Sequence, residues 1–259
     1  AAMNFIDKIH KEERNFFVYL PTNAPHGPYH DVPEDLREHY MTKDLASLMI
    51  RKPKGQRLTA EIDKLARIAA MITNVDQNVG RLLKKLDRLG LTENTVVIFL
   101  VDNGPNTMRY VGNKRGMKSH VHEGGVRAPL WVQWPAQLKP GQTGTEIAAH
   151  IDLMPTILDA CGVKPPSGVK LDGRSLLPLL KGERVAWPDR SIIIQSHRGN
   201  KPTRYHHFMI RDARWKLLHA SGFGRENFPG QPRFELYDIL NDPRESKNQV
   251  DDQPEVFAR

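Results

Sequence analysis

A single cysteine, Cys161, stands in the 259 residues, which excludes an internal disulfide framework but leaves the compartment undecided. No uninterrupted apolar run approaches the roughly 20 residues that a membrane-spanning helix needs. Neither a basic n-region nor an apolar h-region opens the chain, so no signal peptide is visible in it. Internal repeats of solenoid period and low-complexity tracts are also missing, which excludes a solenoid and a disordered tail as the main architecture. The recognition motifs of the common nucleic-acid-binding modules do not occur, and the basic residues are dispersed rather than clustered.

What remains is a globular composition, 39% apolar and 26% charged, in a chain long enough for one large domain or two smaller ones. Its 38 basic and 30 acidic residues leave a net charge of +8. As a field effect this favours anionic partners in general.

Residues 15–20 form a short apolar run ending at Pro21 and read as a buried strand. Residues 21–33 hold four prolines and a glycine and must be loop. A helix start follows at Pro33, with Glu34 and Asp35 in its first turn. Residues 59–89 carry the clearest helical pattern, with Ile62, Leu65, Ala69, Ile72, Val75, Val79, Leu82, Leu83 and Leu86 on one face, Thr59 as N-cap and Gly90 as the stop. Strands are expected over 95–101 and 129–134, and Asp152 caps a helix that ends at Gly162. This alternation argues an α/β fold with a mostly parallel sheet flanked by helices. After Pro188 the pattern changes to short strand-like runs at 191–195, 207–210, 215–219 and 234–238, a small antiparallel sheet. The expected division is 1–185 for the α/β part and 186–259 for a small C-terminal α+β subdomain.

The richest stretch is VVIFLVDNGP, residues 96–105, with KRGMKSHVHEGGVRAP at 114–129. Six apolar residues end abruptly in Asp102 and Asn103 before a turn at Gly104-Pro105. A carboxylate and an amide at the end of a rigid strand suit a hard cation, Ca²⁺ or Mg²⁺. The same dipeptide also makes a good Asx turn, and the residues alone leave both readings open. Lys118 lies sixteen positions after Asp102 in a glycine-containing loop. A metal and a lysine converging on one pocket would suit an anionic group, although a solvated loop lysine is the plainer alternative. His120 and His122 alternate in an extended segment and can face one way. No third ligand nearby completes a zinc site, and lining a substrate mouth is the other use for them. Arg115 and Arg127 are expected to be structural partners of Glu123. Arg198 is a candidate for a pocket rim.

DNGP, the K-x-x-x-x-E-G-G-x-R segment from Lys118 to Arg127, and Trp134-Pro135 together resemble the type I sulfatases of the alkaline phosphatase superfamily. FFVYLPTNAPHGPY at 16–29, HIDLMPTILDACGV at 150–163, LDGRSLLPLL at 171–180 and ELYDILNDPRE at 235–245 match further family segments in the same order. The resemblance implies an alkaline phosphatase-like sheet, of which this chain forms part, followed by the small antiparallel sheet. It implies that Asp102 and Asn103 bind Ca²⁺ (or Mg²⁺), that Lys118 contacts the sulfate, and that His26 hydrogen-bonds the ester and can help protonate the departing alcohol. It implies a formylglycine nucleophile, a sulfated polysaccharide or a small aryl sulfate as substrate, and a periplasmic or secreted location. Relatives within the superfamily that hydrolyse phosphodiesters or phosphonates, and a non-catalytic anion-binding remnant, are the rival readings.

One departure matters. The family's early metal-binding segment and its C-x-P-x-R or S-x-P-x-R nucleophile segment do not occur in these 259 residues, and Cys161 sits in the wrong context to replace the latter. The chain is therefore expected to be the C-terminal part of a longer protein. Its strand 96–101, apolar on both faces, is expected to leave an unpaired edge or an exposed apolar patch. The purified 259-residue chain should not hydrolyse an aryl sulfate above background even with added Ca²⁺; clear turnover in that assay would overturn the expectation.

Overall fold

The computed structural model describes residues 1–107, 109–196, 201–221 and 231–259. It divides into two compact units, Ala1–Thr95 and Val96–Arg259.

The first unit is helical: α1 (Ala2–Lys11), α2 (Glu34–Met41) and the 33-residue α3 (Gln56–Arg88). The C-terminal stop of α3 is as expected. Gly90 takes φ +67°, its N–H reaches Asp87 O and the next amide, Leu91, reaches Leu86 O, which satisfies two orphan carbonyls. The start comes one turn earlier than Thr59. Gly55, at φ +58°, turns the chain into the helix, and its carbonyl accepts from both Leu58 and Thr59. The apolar face of α3 buries Leu65, Ala66 and Ile68 against Leu45, with Tyr29, Tyr40, Met49 and Ile62 around them. On the same side Asp63 accepts from Arg37 of α2 and from Arg67. Both guanidinium hydrogen bonds hold its carboxyl below the usual range, Arg67 being the stronger cause. The strand expected over 15–20 does not form. Phe17, Tyr19 and Leu20 are 70%, 77% and 57% exposed, because a strand exists through its ladder and no neighbouring strand lies in this unit.

The second unit holds β1 (Val97–Leu100), the short α4 (Glu123–Val126), β2 (Leu130–Gln133), α5 (Leu153–Ala160), α6 (Leu177–Leu180), β3 (Ile192–Gln195), β4 (Phe208–Arg211), β5 (Trp215–His219), β6 (Glu235–Asp238) and α7 (Pro254–Ala258). The change of pattern near residue 185 falls within this unit. β3, β4, β5 and β6 form an antiparallel sheet in chain order, at the four positions expected. Its inner face packs Met209, Leu218 and Tyr237 with Ile239 and with Val121 from the loop before α4.

β1 pairs with β2, and the pairing is antiparallel, Val97 facing Gln133 and Leu100 facing Leu130. The expectation is of a mostly parallel sheet, with no partner assigned to this strand. Among the described residues β1 has β2 alone beside it, and the two strands run in opposite directions. The apolar patch follows: Phe99, Leu100, Val101, Leu130 and Trp131 are all exposed, since side chains alternate to both faces of a ladder that, among the described residues, has no covering layer.

Two of the sequence segments lock together between α5 and the start of β3. Asp152, wholly buried, accepts from Ala149 N–H (2.8 Å), Arg174 N–H (2.9 Å) and both terminal nitrogens of Arg190. Burial alone would raise its carboxyl pKa, but the Arg190 bonds and the two amides outweigh this and lower it. Thr156 accepts Leu176 N–H at 2.8 Å, and a Cβ on Gly173 would lie 2.0 Å from Ile151 O. The D-x-x-P-T and L-D-G-R segments thus hold each other in place. Asp152→Ala leaves the mostly buried Arg190 guanidinium with the Ile147 carbonyl but no counter-charge, so it should cost about 3 kcal/mol. The urea midpoint would measure this; a midpoint within error of the parent would show that Arg190 finds other partners.

Candidate functional site

The site is assembled from two loops held backbone to backbone. The first follows β1, where Asp102 is exposed and Asn103 half-buried. Among the described residues the Asp102 carboxylate makes no hydrogen bond or ion pair. The second loop runs from Lys114 into α4. Gly104 N–H donates to Gly125 O at 2.9 Å, and Lys118 N–H donates to Pro105 O at 2.8 Å. A Cβ on Gly104 would sit 1.8 Å from Gly124 O, one on Gly124 2.6 Å from Arg115 O, and one on Gly125 2.1 Å from His120 O. Real Cβ atoms do not approach so closely, so glycine is required at all three positions. Lys118 is therefore brought against the turn that carries Asp102 and Asn103. Its side chain is half-buried, and its ammonium has no partner among the described residues.

Contacts from Arg115, Ser119, His122 and Glu123 tie the second loop to the C-terminal sheet. Arg115 Nη1 donates to Glu235 Oε2 (3.0 Å) and to Tyr237 Oη (2.8 Å), while the Tyr237 hydroxyl donates to Glu235. The His122 ring, almost wholly buried, places Nε2 3.8 Å from the same carboxylate. His207 Nε2–H donates to Ser119 O at 2.6 Å. Glu123, with no exposure, accepts from Lys216 Nζ (3.0 Å) and Arg211 Nη1 (2.7 Å), and Arg127 approaches to 3.7 Å. Glu245 completes the group: it accepts Glu123 N–H at 2.8 Å, and its other oxygen lies 2.8 Å from Lys216 Nζ. Burial pushes the Glu123 carboxyl up, but Lys216 and Arg211 pull it further down.

The expected pairing of Arg127 with Glu123 is present. Arg115 differs: its partner is Glu235, 120 positions away, because it precedes the tight Gly116 turn and points to the sheet rather than to α4. His120 is half-buried, its ring 6.3 Å from that of His122. Burial first, then the neighbouring His122 and Arg115, lower its pKa. Among the described residues no group of three or more His, Cys, Asp or Glu side chains is arranged to hold a metal, so the two histidines do not form a zinc site by themselves. Arg198 lies outside the described residues.

His26 belongs to the first unit, in the proline-rich loop. Its backbone N–H bonds Asn23 O, and Nδ1–H donates to Gly27 O at 2.7 Å. The ring is exposed, with Nε2 turned to no partner among the described residues. Arg67 of α3 ties the loop down through Tyr29 O at 3.2 Å.

The sulfatase family model matches residues 1–163, more than half of the chain. The chain belongs to the sulfatase family. A second model, N-sulphoglucosamine sulphohydrolase, C-terminal, matches residues 114–257. Arylsulfatase A of Homo sapiens is 34% identical over 256 residues, covering 92% of this chain and 45% of the relative. N-acetylgalactosamine-6-sulfatase of Mus musculus is 31% identical over 206 residues, 77% of this chain and 34% of the relative. The crystal structure of a putative sulfatase, yidJ, from Bacteroides fragilis superposes with a TM-score of 0.75 at 23% identity, covering 99% of this chain and 54% of that one, a likeness of fold. The chain thus spans about a third to a half of the curated relatives it matches. Its fold is that of part of an alkaline phosphatase-like α/β domain. Among the described residues no helix is long and apolar enough to cross a membrane.

The sheet residues that hold the sulfatase loop went unread in the sequence. Lys216 had a signal: it alternates with Leu218 in WKLLH, so it shares the core face of β5 and must be buried with a counter-charge. Glu235 and Glu245 are charged residues whose role needs the register of the sheet.

Glu235 gives this network a pH signature. His122 first, then the Tyr237 hydroxyl and Arg115, hold its carboxyl at about 2, against 4.5 unperturbed. A carboxyl lowered in the folded state adds stability above its unfolded value and loses it as pH falls through the folded one. The stability difference between the parent and Glu235→Gln should therefore be full at pH 6 and shrink from about 4.5 towards about 2. Denaturant midpoints across that range would read it; a difference independent of pH would place Glu235 outside the network.

Proposed function

We propose that this protein hydrolyses sulfate esters, with Lys118 contacting the sulfuryl group and Asp102 and Asn103 contributing to a Ca²⁺ or Mg²⁺ site. The observation that carries this reading is the backbone junction of the two loops, which joins the loop of Lys118 to the turn after Asp102 and Asn103; among the described residues neither the Lys118 ammonium nor the Asp102 carboxylate has a partner. Membership of the sulfatase family supports it.

The donor set fits a hard cation, since both side chains offer oxygen and neither is committed elsewhere among the described residues. They supply two of the about six to eight oxygens that Ca²⁺ takes, so further ligands must complete the shell. When bound, the cation would neutralise charge on the sulfate oxygens. Lys118 would do the same for the sulfuryl and leaving oxygens as negative charge develops there. His26, assigned to the leaving oxygen by the resemblance, has Nδ1–H committed to Gly27 O. In its protonated form Nε2–H is then the donor available to the departing alcohol or phenol. The nucleophile, a formylglycine in this reading, has no C-x-P-x-R or S-x-P-x-R segment within the 259 residues.

A sulfated sugar is the substrate class we favour over a small aryl sulfate. One of the relatives above is named for a sulfated amino sugar, and the net charge of +8 would steer a polyanion. An export location goes with that substrate.

In the complete protein, Lys118→Ala should lower kcat for a sulfate ester by about 10²–10³-fold, the usual loss when a transition-state charge contact goes. Asp102→Ala should weaken Ca²⁺ binding in calorimetry. Assays in parallel on sulfate, phosphate and phosphonate esters decide the reaction: preference for a phosphorus ester would replace the sulfatase reading with its superfamily rival. Unchanged turnover in Lys118→Ala, or unchanged Ca²⁺ affinity in Asp102→Ala, would remove the corresponding assignment.

A further inference from the structure

Ser119, next to Lys118, has φ +72°, the left-handed region that side chains other than glycine seldom adopt. Residues persist there only where their surroundings hold them, and such positions cluster at functional sites. Its carbonyl accepts the 2.6 Å hydrogen bond from His207 Nε2–H, 88 positions on and at the entry to β4. His207 is itself left-handed, at φ +42°. It is 3% exposed, and its backbone is fixed on both sides: its N–H donates to Ser221 Oγ at 2.8 Å, and its carbonyl accepts Ser196 N–H at 3.0 Å.

These bonds bracket Lys118. Its own N–H is held by Pro105 O, which fixes the peptide plane before it, and the Ser119 carbonyl is held by His207, which fixes the plane beyond Ser119. The Cα of Lys118, and hence the direction in which its side chain leaves the loop, lies between two anchored planes. The ring can serve as a neutral donor, because burial, with the His120, His122 and His219 rings nearby, lowers its pKa against the opposing effect of the Ser119 bond. A neutral imidazole has one N–H, and the contact with a carbonyl commits it to Nε2.

We propose that His207 is a positioning residue that aims the Lys118 ammonium by holding the Ser119 carbonyl. This rests on the reading that Lys118 contacts the substrate anion. It differs from a packing role in one respect: the effect of His207 must pass through Lys118.

The test is a double-mutant cycle in the complete protein, with His207→Phe, Lys118→Ala and the pair. For the hydrolysed ester, His207→Phe should lower kcat/KM on the order of 10²-fold, as expected when a reacting group is displaced by about 1 Å. In the Lys118→Ala background the same change should cost almost nothing. His207→Gln, whose side-chain amide can donate to the same carbonyl, should recover most of the activity. If His207→Phe does not fold, His207→Asn takes its place, because its shorter amide stays polar but does not reach the Ser119 carbonyl, and the same non-additivity is expected. Equal losses in both backgrounds would overturn the proposal, as would a His207→Gln variant no better than His207→Phe. The affinity for inorganic sulfate, measured by calorimetry on the same variants, keeps the two readings apart. A non-additive cycle in affinity with no sulfate-ester turnover would leave the positioning role standing and remove the sulfatase reading; an additive cycle in affinity would remove the positioning role whatever the enzyme hydrolyses.

Discussion

Glu123 carries its charge with no exposure to water, and the geometry of the candidate site depends on how that charge is met. An isolated carboxylate could not stay ionised there. Lys216, equally buried, and Arg211 reach its two oxygens, and Glu245 takes both the Glu123 N–H and the far side of the Lys216 ammonium. A buried ion group of this kind adds little net stability over an apolar replacement, but losing one member is costly, about 3–5 kcal/mol. Its effect is selective: arrangements of the loop that move Glu123 leave charges unpaired. The partners come from β4, β5 and the segment after β6, so the position of the loop before α4 depends on the register of that sheet.

From Glu123 the constraint passes through backbone contacts that leave no room for a side chain. Gly124 and Gly125 follow it directly. Gly125 receives the Gly104 amide, and Gly124 sits where a Cβ on Gly104 would collide. The turn after Asp102 and Asn103 is thereby fixed to the loop of Lys118 without any side chain between them. Among the described residues the Asp102 carboxylate and the Lys118 ammonium have no partner in the fold, as the proposed ligand roles require. The charged groups on and against the Lys118 loop are spent on structure: Arg115 on Glu235, Arg127 and Arg211 on Glu123.

Local signals carried much of this to the sequence. Helical periodicity located α3 and its Gly90 stop, because the apolar face and the C-terminal turn are both properties of neighbouring residues. The four strands of the C-terminal sheet were legible for the same reason. The antiparallel partner of β1 was not, since periodicity tells which residues face one way and says nothing about the direction of the neighbour. The failed strand at 15–20 makes the same point: FFVYL has the composition of a strand, but a ladder needs a second chain segment. Within the site, Asp102, Asn103 and Lys118 stood out through their spacing around glycines. His207, Lys216, Glu235 and Glu245 did not, because each acts over 80 positions or more and is recognised only once β4, β5 and β6 are in register.

The two halves of the candidate site differ in mechanical support. Lys118 belongs to a loop whose Val121 enters the core of the C-terminal sheet and whose flanks are held at Arg115, Ser119 and Glu123. Asp102 and Asn103 follow a strand with a single neighbour among the described residues and an exposed apolar face, and they are tied to the rest by backbone bonds alone: Gly104 to Gly125, Lys118 to Pro105 and the last rungs of β1 and β2. A cation bound at Asp102 and Asn103 would stiffen the less supported half. An anion bound at Lys118 would meet a group already aimed. Binding energy spent on ordering is lost to affinity, so preorganisation is most useful where the charge contact must be made in the transition state. That is the role proposed for Lys118, and it is the residue this fold holds from both sides.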